Sequence, residues 1–179
     1  MSNPGGDVVK VFPLRLLMVI VLMLGVRSSL WAGTSASWES SLQIMQDMDC
    51  QLGIEAVLRD QTGACRWQQA NSSMLNFGFS SAVYWIKFDA ESVSADDNER
   101  ILEIANPKIS QLDIYLLAHG LSGVSIERQW SSGVSVPVQE RAFYHRNFVF
   151  PMLLSASEKQ SVLIRVQSQY PLKLPLFWT

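Results

Sequence analysis

The chain has 179 residues, 48% hydrophobic, 17% charged and 10% aromatic, with 14 basic against 16 acidic side chains. Roughly 100–150 residues make one ordinary domain, so the length suits one core plus a short appendage. The composition excludes a disordered chain, a collagen-like chain and a coiled-coil rod. A net charge of −2 lacks the basic footprint of a nucleic-acid binder, so no nucleic-acid partner is expected.

The apolarity is unevenly placed. Residues Leu16–Val26 read LLMVIVLMLGV, preceded by Lys10 and Arg15 and followed by the small residues of SSLWAGTSAS. A spanning helix wants about 20 apolar residues, so this shorter run fits the core of a secretory signal peptide. Residues 1–32 are expected to be that signal, with cleavage after Ala32 or alternatively after Ala36. An uncleaved membrane anchor is the other reading, and both send the remainder out of the cytoplasm. Residues 33–44 are taken as a lead-in and 45–179 as a single domain, with 11 basic and 15 acidic groups after residue 32. No later apolar run reaches spanning length, so the mature part is expected to have no membrane span.

Cys50 and Cys65 both fall in this exported part, where oxidation is permitted. As a disulfide they would close a loop of about 15 residues, a constraint of ~3 kcal/mol in the chain-entropy model. Two separate buried thiols are the alternative. With no Cys-x-x-Cys and only His119 and His145, no metal site and no cofactor are expected.

Between residues 45 and 58 the Gly-Ile-Glu-Ala-Val-Leu stretch has helical composition, and a strand is admissible near Cys65–Gln69. From residue 82 onward the chain is a series of short β-type runs, at Val83–Ala90, Arg100–Ala105, Gln111–Ala118, Val124–Trp130, Tyr144–Phe150, Ser161–Ser168 and Leu172–Phe177. Turn-type residues separate them, which predicts an all-β antiparallel sandwich or barrel of about eight or nine strands with a short N-terminal helical turn. Alternation assigns faces. Tyr84, Ile86, Phe88, Leu102, Ile104, Leu112, Ile114, Leu116, Val162, Ile164 and Val166 turn to a common core. The opposite faces carry Trp85, Lys87, Glu103, Asp113, Tyr115, Arg165 and Gln167.

Tyr84–Phe88 (YWIKF), Ile101–Pro107 (ILEIANP), Leu112–Leu116 (LDIYL), Arg141 with Arg146–Pro151 (RNFVFP), Leu163–Val166 (LIRV) and Leu174–Phe177 (LPLF) occur in that order. Together with the Asp47–Leu58 region, this series resembles the type-two extracellular sensor domain of bacterial seven-transmembrane receptors with diverse intracellular signalling modules. The resemblance spans about residue 45 to the C-terminus. It implies a jelly-roll β-sandwich similar to carbohydrate-binding modules, exposed in the periplasm and sensing a ligand for a membrane-spanning transmitter. This sequence supplies neither the membrane helices nor the output module, so a truncated receptor or a stand-alone periplasmic partner is expected.

The polar face is the candidate binding surface. Trp85 or Tyr115 would stack on a sugar ring, while Lys87, Glu103, Arg165 and Gln167 would bond its hydroxyls or carboxylates. The plainer alternatives are cross-strand ion pairs on an outer face, and a Trp85 buried against the first helical segment. A secondary rim candidate is Arg141, Tyr144 and Arg146, with His145 expected to face solvent. There is no Gly-x-Ser-x-Gly, His-Glu-x-x-His, phosphate loop or EF-hand, and a Glu103/Asp113 carboxylate pair carries no signal among 15 acids. The expected function is therefore non-enzymatic sensing of a small molecule such as a carbohydrate. Docking on another receptor ectodomain or on a second copy is the alternative.

Overall fold

A computed structural model describes residues 38–49, 51–59, 65–92, 98–137, 139, 145–156 and 158–179. After a 3-10 turn at Trp38–Ser41 come β1 (Gln43–Asp47), the short helix α1 (Ile54–Leu58), β2 (Gln68–Gln69) and β3 (Met74–Gly78). Then follow β4 (Val83–Ala90), β5 (Glu99–Ile104), β6 (Gln111–Gly120), β7 (Gly123–Ser132), β8 (Phe148–Leu153), β9 (Lys159–Gln167) and β10 (Leu172–Trp178). The strands form two antiparallel sheets, one ordered β2-β1-β4-β9-β6-β7 and the other β3-β10-β5-β8. From β3 onward the chain passes between the sheets, apart from the β6–β7 hairpin, so that β3-β10-β5-β8 faces β4-β9-β6-β7. That pairing is the eight-stranded jelly roll of two Greek keys, with β1 and β2 added beside β4.

The described residues hold ten strands, three of which, β1–β3, come before residue 83. Residues 43–47, which overlap the start of the 45–58 region where a helical turn was expected, form the strand β1 through pairing with β4 from Gln43↔Lys87 to Asp47↔Val83. The helix is confined to 54–58. The run expected at Tyr144–Phe150 lies later, as β8 at 148–153, where Phe148, Phe150 and Met152 all face the core.

The predicted inward faces meet between the sheets. Ile86, Leu112, Ile114, Val162, Ile164 and Val166 of the six-stranded sheet are fully buried there against Leu102, Ile104, Phe148, Phe150, Leu174 and Leu176 of the four-stranded sheet. Each such side chain contributes ~1.5–3 kcal/mol of transfer free energy. Aromatic rings close one flank, with Phe88 packed between Trp38 at 4.9 Å and Trp178 at 5.3 Å between centroids.

A second apolar layer covers the outer face of the six-stranded sheet. Met45, Val83, Trp85, Tyr115, Leu117 and Leu163 on that face are buried beneath Val57 of α1 and Cys65, with Leu52, Ile54, Leu58 and Trp67 packed around them. This is the physical reason for α1: a five-residue helix has little stability alone, and its apolar side seals the sheet. Cys50, and with it the expected Cys50–Cys65 pair, lies outside the described residues, as does the expected signal segment at 1–32.

Candidate functional site

The loops following β3, β5, β7 and β9 gather at one end of the sandwich, while β10 runs away from them. Fully buried Ile109 anchors the β5–β6 loop. Its carbonyl accepts from Val134 N at 2.8 Å, and the Ser110 carbonyl accepts from Ser135 Oγ at 3.0 Å. Gly133 permits this approach. Its φ of +130° is disfavoured for side-chain-bearing residues, and a Cβ there would overlap the Ser110 carbonyl oxygen. Ser110 Oγ in turn accepts from Gln169 N at 3.0 Å, so one serine ties three loops together.

Those loops enclose a cleft of about 670 Å³ lined by Phe79, Ser80, Ser81, Ser110, Gln111, Ser135, Gln167, Ser168 and Gln169. Eight of these nine residues are Ser or Gln, and none carries a charge. Phe79 is 82% exposed beside them, a large ring with no packing role. It follows Gly78, whose φ of +65° ends β3 and turns the chain. Ser80 is held in place because its Oγ accepts from Ala82 N at 3.2 Å and bonds Tyr84 Oη at 3.1 Å. Gln167 Nε2 donates to the Ser81 carbonyl at 3.3 Å. The site thus pairs an exposed aromatic face with rotatable donors and acceptors on a fixed rim.

The expected polar face is divided by the structure. Trp85 is fully buried and Tyr115 nearly so, under α1 and the Cys65–Trp67 segment, so neither presents a stacking surface. Glu103 stands on the outer face of the other sheet, where its carboxylate accepts from Asn147 Nδ2 at 2.6 Å. Alternation along single strands correctly puts Glu103 opposite the core, but each sheet has its own outer face, and these look in opposite directions. The other six, Trp85, Lys87, Asp113, Tyr115, Arg165 and Gln167, do share the outer face of the six-stranded sheet.

On that face Arg165 pairs across strands with Asp113 at 3.3 Å, both mostly buried. Asp113 also accepts from Ser131 Oγ at 2.8 Å and, at 3.4 Å, from Gln111 Nε2. Lys87 Nζ sits 4.1 Å from the Trp67 ring centroid, a cation–π contact. Desolvation lowers the Lys87 pKa, partly offset by the charges of Cys65 and Asp89. Burial raises the Tyr115 phenol, helped by Asp113 and opposed by Arg165. These residues hold the outer layer together.

Of the six sequence candidates only Gln167 lines the cleft. Arg146 and His145 are exposed, and Arg141 and Tyr144 lie outside the described residues. Phe79, Ser80, Ser81, Ser110, Ser135 and Ser168 are missed from sequence because each reads as ordinary turn chemistry. The available signal is that four separate turns of the same end are rich in Ser and Gln. Among the described residues no group of three His, Cys, Asp or Glu stands ready to hold a metal ion, and no helix is long and apolar enough to cross a membrane. In comparisons with known proteins, the 7TMR-DISM extracellular 2 family matches residues 39–179. No curated protein matches the chain.

Proposed function

The chain belongs to the 7TMR-DISM extracellular 2 family, and on that premise we propose that it senses a small, hydroxyl-rich molecule such as a carbohydrate in the end cleft. Membership makes it an extracytoplasmic sensing domain of the seven-transmembrane receptor type. One observation carries the ligand class: the cleft is uncharged, Ser- and Gln-lined and flanked by the exposed ring of Phe79. Polyols need many directional hydrogen bonds and an apolar plane for their C–H face, which this lining supplies. Its volume falls within the roughly 300–1,000 Å³ of small-molecule sites.

Thermal-shift titration of the full chain with neutral mono- and oligosaccharides tests it. A saccharide that binds raises Tm by mass action, and Phe79→Ala and Gln167→Ala abolish the shift while leaving the unliganded Tm within a few degrees. A shift that survives both substitutions, or no shift with any saccharide, overturns the reading.

A second reading, protein–protein docking, is favoured by the outer face of the four-stranded sheet. Met74, Ile101, Leu153 and Phe177 are 40–56% exposed there, and such a patch marks interaction surfaces. Self-association in sedimentation velocity that is lost in Phe177→Lys would support it. A monomer at all concentrations would remove the second-copy form.

A further inference from the structure

A second cleft lies across the same loops. It has a volume of about 370 Å³ and is lined by Ala105, Asn106, Lys108, Tyr170, Pro171, Lys173 and Pro175. Lys108 and Ser110 belong to one loop, and Ser168, Gln169 and Tyr170 to another, so the two clefts flank a shared ridge. Their chemistry differs. The first is neutral, whereas the second carries two ammonium groups.

Asn106 organises this second cleft. Its Nδ2 donates to the Lys173 carbonyl at 2.7 Å, and its Oδ1 accepts from Lys108 N at 3.0 Å. One side chain therefore ties the backbones of both lysines, which are 67 and two residues away from it along the chain. Pro171 and Pro175 stiffen the β10 side, and Ala105 N donates to the Pro175 carbonyl at 3.1 Å. Tyr170 is 51% exposed beside them. Among the described residues neither lysine has a carboxylate within ion-pair reach, unlike Arg59 with Glu55, Lys159 with Asp89 and Arg165 with Asp113. Two ammonium groups lining one cleft with no internal counter-ion favour an anion from outside.

We propose that the two clefts bind one acidic saccharide, its uncharged ring in the Ser/Gln cleft and its carboxylate on Lys108 and Lys173. This rests on the saccharide reading above and narrows it to uronic-acid-type glycans. Ammonium–carboxylate bonds in this partly exposed cleft add selectivity of roughly tenfold over a neutral analogue, the scale of one charge-assisted hydrogen bond.

Isothermal titration of the full chain with trigalacturonate and with the neutral galactotriose tests this directly. The acidic trisaccharide is expected to bind about tenfold more tightly at low salt, the advantage shrinking as salt screens the lysines. Lys108→Met and Lys173→Met, both at exposed positions, bring trigalacturonate to the neutral affinity and leave galactotriose unchanged. Equal binding of the two sugars, or acidic binding untouched by the lysine substitutions, overturns the inference while sparing the saccharide reading. If neither sugar binds, the inference falls, and the saccharide reading is left to the thermal-shift titration above. Lysine-dependent binding of inorganic phosphate or phosphatidylglycerol vesicles in preference to trigalacturonate also overturns it, because the cleft is then a phosphate site.

Discussion

Gly133 lies so close to Ser110 that a single added carbon would collide with the serine carbonyl oxygen. This contact fixes the β7–β8 loop on the β5–β6 loop and shapes one wall of the end cleft. Gly133→Ala is therefore expected to cost about 2 kcal/mol or more, from left-handed strain plus displacement of backbone rather than of a flexible side chain. Urea denaturation checks the loss. Saccharide affinity should fall as well, because Ser110 and Ser135 move apart.

Trp85→Ala is expected to destabilise the fold by about 3–5 kcal/mol, the range for emptying a buried aromatic site. Among the described residues Trp85 Nε1 has no hydrogen-bond partner, so Trp85→Phe sacrifices packing alone and should cost about 1–2 kcal/mol. Comparing the two denaturation midpoints tests whether Trp85 acts as a core residue. Equal and negligible losses would contradict its placement beneath α1.

Arg165 was expected to meet a ligand, or to form a cross-strand ion pair. Its 3.3 Å pairing with Asp113 supports the second role. Arg165→Met and Asp113→Asn should each lower stability by about 1–2 kcal/mol, with a coupling of about 1 kcal/mol in a double-mutant cycle. Saccharide affinity in Arg165→Met should match that of the parent. A coupling near zero would refute the pairing.

Alkaline titration provides a check on the buried layer. Tyr115 has its pKa raised above 10.0, chiefly by desolvation. Above that pH the unfolded chain releases a proton that the folded chain retains, so stability falls as pH rises. Tyr115→Phe should make that fall shallower. Lys87 is lowered below 10.5, again chiefly by desolvation, so its sign is opposite: stability rises with pH between the folded pKa and 10.5. Lys87→Met should therefore lose relative to the parent across that window. Paired melts at stepped pH measure both slopes.

The antiparallel β class was legible because strand alternation has a period of two, and strands such as Val83–Ala90 state their buried face residue by residue; the jelly roll was implied by the family resemblance. Tyr84, Ile86 and Phe88 needed no partner to be assigned inward. β1 and β3 were obscured because short strands at the start of the fold owe their conformation to β4 and β10, which are distant in sequence. Glu103 and Trp85 fail for a related reason. Alternation says which side of a strand a residue takes, but not which sheet holds the strand or what covers that sheet.

By itself the sequence determined the class of fold, the core face of four strands and the absence of a basic or catalytic signature, since these follow from composition and local periodicity. Only the tertiary structure decided where a ligand has room. Phe79, Ser110, Ser135 and Gln167 are separated by up to 88 residues, and the strand crossings bring their loops to one end. The same crossings place α1 over Trp85, turning the expected sugar platform into a second core. Hydrogen bonds between distant loops, such as Ser135 to Ser110 and Asn106 to Lys173, then hold the clefts in shape.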